Sequence, residues 1–517
     1  MSAHDTQART WGLKGWIALV LGAGILAHIN GLRGVMLFDD TSGIVANTAL
    51  RHLPDAVLGS SRPLTQLTFH LNILLGGLNP LGFHLVNLAL HLANGVLLVL
   101  VLDALLSALG SMVVATRQRV AGLTALLWTV HPLTTESVTY IVQRAESLAA
   151  FCLLLTLFLF LRLRDGAPTS RRSVMLVACA AGMLAKPVMV VAPLLVLCID
   201  RILTGTSLRD VLKQRSHLHG LLLATMLIVV TLALVPNESS SSVGLGGDLL
   251  APWQYALTQT RVFVHYIRLA VVPWPLCLDY MWPASSVVAA IPSMAVVLLL
   301  LAGWVILWWK HHPLALVGCW VGLLLAPTSS VLPLADAAAE HRMYLPLVGL
   351  LVLPLLAGEQ GVAALLRRGT SARRVAIVRV ALRWMAIVTV AALMALTIHR
   401  NRDYASTERM WERVATVAPW NLRARVGLGC ALYERGKLDQ AEALFTDVAE
   451  TLERQPLARG TMAATLASLA RMHLGTLYLW RGDPTRAAAE FRLAVQHAPA
   501  NGGGQKGLRE AQRRLGE

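Results

Sequence analysis

Long apolar runs separated by short polar and basic stretches dominate the chain as far as Thr397. Runs such as 16–29, 85–106 and 287–309 approach or exceed the roughly 20 apolar residues that cross about 30 Å of hydrocarbon. We therefore predict an all-α, polytopic membrane protein with about 11 spanning helices. The predicted spans are residues 14–30, 85–106, 119–135, 146–162, 174–187, 189–203, 218–235, 287–309, 313–330, 344–358 and 375–397.

Two stretches leave this helix count open. Residues 174–203 hold two short spans with Pro187 and Pro193 at their joint, where proline interrupts helical hydrogen bonding. Residues 253–272 carry polar side chains among apolar ones, so we expect this helix to lie along the membrane surface or to line a cavity. Its polar side chains are Gln259, Arg261, His265 and Arg268.

Composition excludes a water-soluble enzyme, because 56% of the 517 residues are apolar and only 14% are charged. The net charge of +16 comes mostly from short basic patches between the predicted spans, which favours a topological signal over nucleic-acid binding. With these patches in the cytoplasm, the N-terminus lies inside and everything after His399 lies outside. The six cysteines are scattered without a CxxC pair, so we predict neither a disulfide framework nor a zinc site.

Beyond Thr397 the composition changes from aliphatic to Arg, Glu, Ala and Gly, which predicts a membrane domain at 1–398 and a second domain at 399–517. The second domain fits the tetratricopeptide pattern, in which small residues let paired helices approach each other. Gly429 and Gly475 begin matching units but are 46 residues apart, so we predict an insertion around 453–465 in this α-solenoid. The matching residues are Leu428, Gly429, Leu432, Gly436, Ala441, Phe445, Leu474, Gly475, Tyr478, Gly482, Ala487, Phe491, Ala494 and Pro499.

The first candidates for chemistry are Asp39 and Asp40, which follow Phe38 just past the first span. Two adjacent acids also suit a solvated turn or a helix cap, and that alternative stays open. Further along the same loop, leucines at helical spacing over residues 62–77 predict a helix on the membrane surface that presents Arg62 near the lipid head groups. A helix that only packs on the bundle is the competing interpretation.

A second group of polar residues begins at His131 and Glu136, which are candidate ligands for a divalent metal. Pro132 sets these two residues on a turn rather than on one helix face. The competing interpretation is helix capping together with a buried ion pair from Arg144 to Glu146 or to Glu136.

Lys186 lies at the end of an apolar span, where an ammonium group needs an anionic partner or a route to water. Contact with a phosphate and snorkelling at the helix end are both compatible with that position. Asp279 lies between Trp274 and Trp282, and such an aromatic cluster also suits a membrane interface.

A late loop between two apolar helices carries Asp336, Glu340, His341, Arg342 and Tyr344. Arginine offers a bidentate fork and stays charged, so this cluster is a candidate phosphate clamp. An internal ion pair between Glu340 and Arg342 is the alternative.

Taken in order, these motifs resemble the transmembrane and tetratricopeptide-repeat O-mannosyltransferases of the GT-C glycosyltransferase superfamily and their bacterial relatives. The resemblance covers nearly the whole chain, but it departs where relatives often have Ser-Lys-Glu and this chain has Ala185-Lys186-Pro187. The resemblance rests on residues 38–40, 44–47, 62–65, 79–87, 131–132, 135–136, 143–147, 278–280 and 340–346, and on the repeats that follow them.

The resemblance implies a catalytic acid in the first outer loop and a polyprenyl-phosphate-linked sugar as donor. Asp39 and Asp40 match the acid, and we take Asp40 as the first candidate. A base removes the proton of the acceptor hydroxyl, whereas phosphate leaves without a proton donor, so direct displacement inverts the anomeric centre. We expect the donor phosphate to contact Arg342, His341, Lys186 and Arg261.

Tetratricopeptide repeats form concave surfaces that bind peptides, so we expect them to recruit a protein acceptor, and a structural cap or an oligomer contact is the competing interpretation. We expect a bacterial inner membrane, with the N-terminus cytoplasmic and the repeats periplasmic. No cofactor is expected, and a divalent metal stays open. The rival interpretations are a non-catalytic membrane scaffold whose repeats bind protein partners and an O-antigen-type ligase that uses a pyrophosphate-linked glycan.

Overall fold

The structure is a computed structural model that describes residues 12–110, 112–164, 170–234, 250–330, 333–454, 457 and 461–516. These residues are organised as α-helices joined by 3-10 turns, without a β-strand, and the prediction of an all-α polytopic protein is confirmed. The helices of the membrane part are α1 (Leu13–His28), α2 (Leu53–Leu58), α3 (Pro63–Gly76), α4 (Pro80–Ala108), α5 (Val114–Thr129), α6 (Thr135–Thr139), α7 (Arg144–Arg164), α8 (Ser170–Ala185), α9 (Ala192–Thr204), α10 (Leu208–Gln214), α11 (Ser216–Ala224), α12 (Met226–Leu234), α13 (Pro252–Val271), α14 (Val287–Trp309), α15 (Ala315–Leu325), α16 (Pro346–Arg367) and α17 (Ala372–Asn401).

Each predicted span contains a helix, but the helices differ in length. Within the described part of the chain, eight helical segments are long and apolar enough to cross a membrane. Helices α5 and α8 have 16 residues each and α15 has 11. At about 1.5 Å per residue they extend only about 24 Å and about 16 Å. These three helices are therefore shorter than the roughly 30 Å of hydrocarbon that a membrane span crosses.

Basic side chains tie the helices together at one end of the bundle, which we call the basic end. Arg117 Nε at the start of α5 donates to Asp103 Oδ1 near the end of α4 over 2.7 Å. Arg119 Nε donates to Glu359 Oε1 of α16 over 2.8 Å. The basic patches taken as topological signals thus gather with acidic partners at this end. A further acid there, Asp200 of α9, is bonded by Arg164, Arg215 and His219.

The loops at the opposite end, which we call the site end, are held by the end of α17. Asn401 Nδ2 donates to the carbonyl oxygen of Ala27 at 3.0 Å, and Asn401 Oδ1 accepts from Thr139 Oγ1 at 2.7 Å. The amide of Val35 donates to the carbonyl oxygen of Tyr404 over 3.0 Å. Helix α1 therefore ends beside the start of the repeats. The polar helix α13 also lies at this end, since His131 Nε2 bonds the carbonyl oxygen of its residue 270.

Arg144 is the largest charged side chain fully buried in the bundle, with no exposed surface. Its Nε donates to Asn87 Oδ1 at 2.7 Å, and its Nη2 donates to the carbonyl oxygen of Phe83 at 3.0 Å. Its Nη1 donates to the carbonyl oxygen of Thr68 at 3.2 Å. The predicted ion pair from Arg144 to Glu146 or Glu136 is wrong, because carbonyl and amide oxygens of α3 and α4 take the guanidinium donors instead.

The repeat part consists of antiparallel helix pairs, as predicted. A Cβ atom on Gly429 would lie 2.6 Å from the ring of Phe445, and one on Gly475 would lie 2.9 Å from the ring of Phe491. Glycine is needed because a side chain would push each pair apart. The division at 398/399 stays a prediction, and residues 455–456 and 458–460 of the predicted insertion lie outside the described residues. The helices are α18 (Thr407–Val417), α19 (Leu422–Glu434), α20 (Leu438–Glu453), α21 (Met462–Trp480), α22 (Pro484–His497) and the capping helix α23 (Gly502–Leu515).

Replacing Arg144 by methionine should destabilise the bundle by about 3 kcal/mol, because three buried oxygen acceptors would lose their donors. The apparent melting temperature of the purified protein in detergent measures this loss. Arg171→Met, which removes an exposed arginine from α8, is the matched control and should leave that temperature unchanged. Equal melting temperatures for the two variants would contradict the assigned role of Arg144.

Candidate functional site

The carboxylate of Asp40 connects two loops at the site end by hydrogen bonds. Its side chain is buried, with 1% of the residue exposed. Its Oδ1 accepts from the amide of Val142 at 2.7 Å, and its Oδ2 accepts from the amide of Leu37 at 3.2 Å. Burial raises the pKa of Asp40 to about 7, although both amide bonds oppose that rise. Both carboxylate oxygens are thus already used by the fold.

Asp39 differs from Asp40 in both exposure and bonding. It is exposed, and no described backbone amide donates to its carboxylate. Its own amide donates to the hydroxyl of Tyr140 over 2.9 Å, which fixes the main chain at this residue. Desolvation by the surrounding protein raises the pKa of the Asp39 carboxyl, against an opposing side-chain hydrogen bond with Tyr140, and makes it a stronger proton acceptor than an unperturbed aspartate. The structure thus separates two acids that the sequence left equivalent.

His341 and Glu136 form a close pair that joins two distant loops. Glu136 Oε1 lies 2.6 Å from His341 Nδ1, and Glu136 Oε2 accepts from the His341 amide over 2.9 Å. Burial raises the pKa of Glu136 to about 8 and lowers the pKa of His341 well below its usual range. The ring is thereby fixed in place with its Nε2 atom directed away from Glu136.

Lys186 and Glu146 form a second pair, between the turn after α8 and the start of α7. Arg62 lies within electrostatic range of both Glu146 and Asp39. Among the described residues, none hydrogen-bonds or ion-pairs with the Arg62 guanidinium. The main-chain amide of Arg62 donates to Ser60 Oγ, and its carbonyl oxygen accepts from the Gln66 amide. The site therefore keeps a guanidinium available within electrostatic range of Asp39.

Arg342, the predicted phosphate clamp, donates hydrogen bonds within its own loop. Its Nη1 donates to the carbonyl oxygens of Thr328 at 3.3 Å and Ala337 at 3.0 Å, and its Nη2 donates to that of Asp336 at 2.5 Å. These bonds close the loop between α15 and α16 on itself. The predicted ion pair with Glu340 is also absent from the described contacts, because Glu340 Oε1 accepts from the Cys277 amide instead.

Of the remaining predicted site residues, some pack inside the helix bundle and others stay accessible at the site end. Tyr344 is buried and its hydroxyl lies 2.8 Å from His91 Nδ1, so it braces the helices. His131 Nδ1 accepts from the amide of Leu133, as the capping interpretation predicts, and so does not join Glu136 in a common site. Arg261 keeps more freedom, with Ser285 Oγ at 3.1 Å as its hydrogen-bond partner. Over the described part of the chain, no three His, Cys, Asp or Glu side chains are grouped as metal ligands would be.

Asp279 is bound by a residue that sequence reasoning missed. Arg423 of α19 makes a bidentate pair with it, with Nε to Oδ2 at 2.8 Å and Nη2 to Oδ1 at 2.7 Å. An arginine in a repeat helix carries no local signal that it reaches the membrane domain. A buried acid in a loop before a span was the available hint, since such an acid needs a cationic partner.

These features define a class: a multi-pass membrane protein with a carboxylate, cations and a docked repeat solenoid at one end of its bundle. No family model matches the chain. It is 36% identical over 171 residues to the protein O-mannosyl-transferase TMTC1 of Homo sapiens, covering 29% of this chain and 18% of that protein. It is 36% identical over 166 residues to protein O-mannosyl-transferase TMTC4 of Homo sapiens, covering 27% of this chain and 22% of that protein. It is 32% identical over 234 residues to protein O-mannosyl-transferase Tmtc2 of Drosophila melanogaster, covering 43% of this chain and 24% of that protein. The similarity thus spans less than a quarter of the length of these curated relatives, and it agrees with the resemblance read from the sequence motifs.

Asp40→Asn should destabilise the protein by about 2 kcal/mol, because an amide group has one acceptor oxygen for two backbone donors. Asp39→Asn should leave stability unchanged, since no described backbone amide depends on that carboxylate. Melting temperatures of the two variants in detergent test the difference. Equal destabilisation by both substitutions would contradict the separation of roles.

Proposed function

We propose that the protein is a membrane glycosyltransferase that moves a sugar from a polyprenyl-phosphate donor to a hydroxyl group of a protein, with Asp39 as the base. The observation that carries this proposal is the contrast within the acid pair. Asp40 uses both oxygens to hold the fold, whereas Asp39 is partly accessible and lies within electrostatic range of Arg62. The proposal therefore replaces Asp40, the first candidate from sequence, by Asp39.

The chemistry balances with one carboxylate. Asp39 removes the proton of the acceptor hydroxyl as its oxygen attacks the anomeric carbon. The bond from that carbon to the phosphate oxygen breaks, and the lipid phosphate leaves with one more negative charge. Attack from the face opposite the phosphate inverts the anomeric configuration. No step of the proposal requires a metal.

Arg62 and Lys186 are proposed to hold the donor phosphate. Arg62 offers a guanidinium without a described partner, which suits bidentate contact with phosphate oxygens. Lys186 is paired with Glu146 in the present state and adds a second positive charge nearby. Fixed cations stabilise the charge that grows on the leaving group. His341 Nε2 and Arg261 are proposed as further contacts. Arg342 stays a candidate through its remaining donors, since Nη1 and Nη2 also bond carbonyl oxygens of its own loop.

The membrane setting follows the same proposal. The site lies at the end of the bundle opposite the basic patches, which places it on the extracytoplasmic side if those patches mark the cytoplasm. The setting proposed from sequence is a bacterial inner membrane with the repeats in the periplasm. The named relatives are protein O-mannosyl-transferases, which supports a protein acceptor and leaves the identity of the sugar to experiment.

Asp39→Asn should lower the rate of sugar transfer at least about 100-fold, because a neutral amide cannot accept the hydroxyl proton. Transfer from a panel of radiolabelled polyprenyl-phosphate sugars to protein is the measurement. Asp55→Asn, which changes an exposed acid in the same outer region, is the matched control and should keep full activity. A folded Asp39→Asn protein with wild-type transfer would overturn the proposal and favour the scaffold interpretation.

Arg62→Gln should raise KM for the lipid-linked donor about tenfold or more, because a charge-assisted contact with phosphate would be lost. Arg51→Gln removes an exposed arginine of the same region and should leave KM unchanged. Steady-state kinetics with varied donor at fixed acceptor distinguish the two variants. An unchanged KM in Arg62→Gln would remove this residue from the donor site.

A further inference from the structure

Arg423 joins the repeat helix α19 to two acids of the membrane part. Besides its bidentate pair with Asp279, its Nη2 lies 3.0 Å from Asp336 Oδ1. The Asp279 side chain is 2% exposed, so its charge is held almost without water. One guanidinium from the repeats therefore neutralises acids from the loop after α13 and from the loop after α15.

The same guanidinium covers the residue before the proposed base. Its carbon Cζ lies 5.1 Å from the centre of the Phe38 ring, and the edge of that ring packs on Trp411 of α18 at 5.2 Å. Phe38 has φ of +51°, a conformation that bulky residues rarely adopt without support from their surroundings. Contacts from the repeats thus hold the backbone turn that sets the direction of Asp39.

Two more hydrogen bonds fix α19 against the loop after α13. Asn421 Nδ2 donates to the carbonyl oxygen of Asp279 at 2.9 Å, and Trp420 Nε1 donates to that of Tyr280 at 3.1 Å. These bonds come from the residues just before Arg423 in the chain. A shift of α19 would therefore move Arg423 relative to Phe38 and Asp279.

We infer that Arg423 is a positioning residue for Asp39, so that the first repeat helices complete the catalytic site and are not a separate module. This inference rests on the proposed function, in which Asp39 is the base. Arg423 holds the Phe38 turn by ring contact and balances the negative charge of Asp279 and Asp336 beside Asp39.

The charged groups around Asp39 determine how the pKa of its carboxyl should change when Arg423 is removed. Arg423 favours the ionised form of Asp39, and Asp279 and Asp336 disfavour it. Without Arg423, two uncompensated acids would remain near the base and make its ionisation harder. The ionisable and charged groups that face Asp39 are Asp40, Arg62, Tyr140, Asp279, Asp336 and Arg423.

The test compares Arg423→Gln with Arg425→Gln, a change of the same charge on the same helix. Arg425 pairs with Asp447 at 2.5 Å inside the repeats and should be neutral in this assay. When kcat/KM is measured against pH, it should fall at low pH as Asp39 becomes protonated, and we call this fall the acidic limb. In Arg423→Gln the acidic limb should move to higher pH by roughly half a unit or more. The double variant Arg423→Gln with Asp279→Asn removes one of the two uncompensated acids and should move the limb back. Arg423→Lys keeps the charge and should keep the limb near its wild-type position.

A second readout does not depend on activity. A carbodiimide modifies protonated carboxyl groups, so mass spectrometry of Asp39 labelling against pH reports its titration. The midpoint should rise in Arg423→Gln and not in Arg425→Gln. An unchanged midpoint and an unchanged limb in folded Arg423→Gln protein would overturn the inference and leave the proposed function standing. Wild-type transfer by Asp39→Asn would instead refute the proposed base, while the labelling comparison would still report on Arg423.

Discussion

A charge that is buried at the end of an apolar helix bundle must be paired, and the site end of this protein is built around that constraint. Removing an ion from water costs several kcal/mol unless a partner or several hydrogen bonds replace the water. Arg144 satisfies the requirement with neutral oxygens, while Lys186 satisfies it with Glu146. Among the described residues, the Arg62 guanidinium has no such partner, and the Asp39 carboxylate is bonded by Tyr140 alone.

The pairing also explains how distant segments come together. Glu136 and His341 lie 205 positions apart in the chain, and Asp279 and Arg423 lie 144 positions apart. Each pair closes a loop of the membrane part onto another element, so the proposed base is surrounded by a fixed frame. Arg400 of α17 extends this frame, since it bonds Asp403 at 2.9 Å and lies 3.7 Å from Glu340. A rigid frame suits catalysis by positioned charges, because little reorganisation is needed when charge develops on a substrate.

Local patterns predicted the helices better than they predicted the site. Every span predicted from hydropathy contains a helix, and the spacing of Gly429, Phe445, Gly475 and Phe491 predicted the paired helices of the repeats. Both signals come from residues that are close together in the sequence. Residues 253–272 form α13, which is not among the described helices long and apolar enough to cross a membrane, and its place along the membrane surface or a cavity stays a prediction. The lengths of α5, α8 and α15 were less predictable, since packing inside the bundle sets where they end.

The site was harder to predict because its partners are remote in sequence. The expected partner of Arg144 was a nearby acid, yet the fold supplied Asn87 and two carbonyl oxygens. Arg342 was expected to bind a ligand, yet its loop needs those donors. The amides of Leu37 and Val142 set Asp40 apart from Asp39, and the second of these lies 102 positions away from Asp40. No pattern within the first loop contains that information.

The central claim is that one carboxylate and fixed cations at the site end transfer a sugar from a lipid phosphate by direct displacement. In the most direct measurement, purified protein is incubated with a panel of polyprenyl-phosphate sugars and an acceptor peptide. It compares released lipid phosphate with glycosylated peptide and determines the anomeric configuration of the product by NMR. The account predicts equal amounts of the two products and inversion of configuration with one donor of the panel. Folded protein that turns over no donor, or a product with retained configuration, would contradict it.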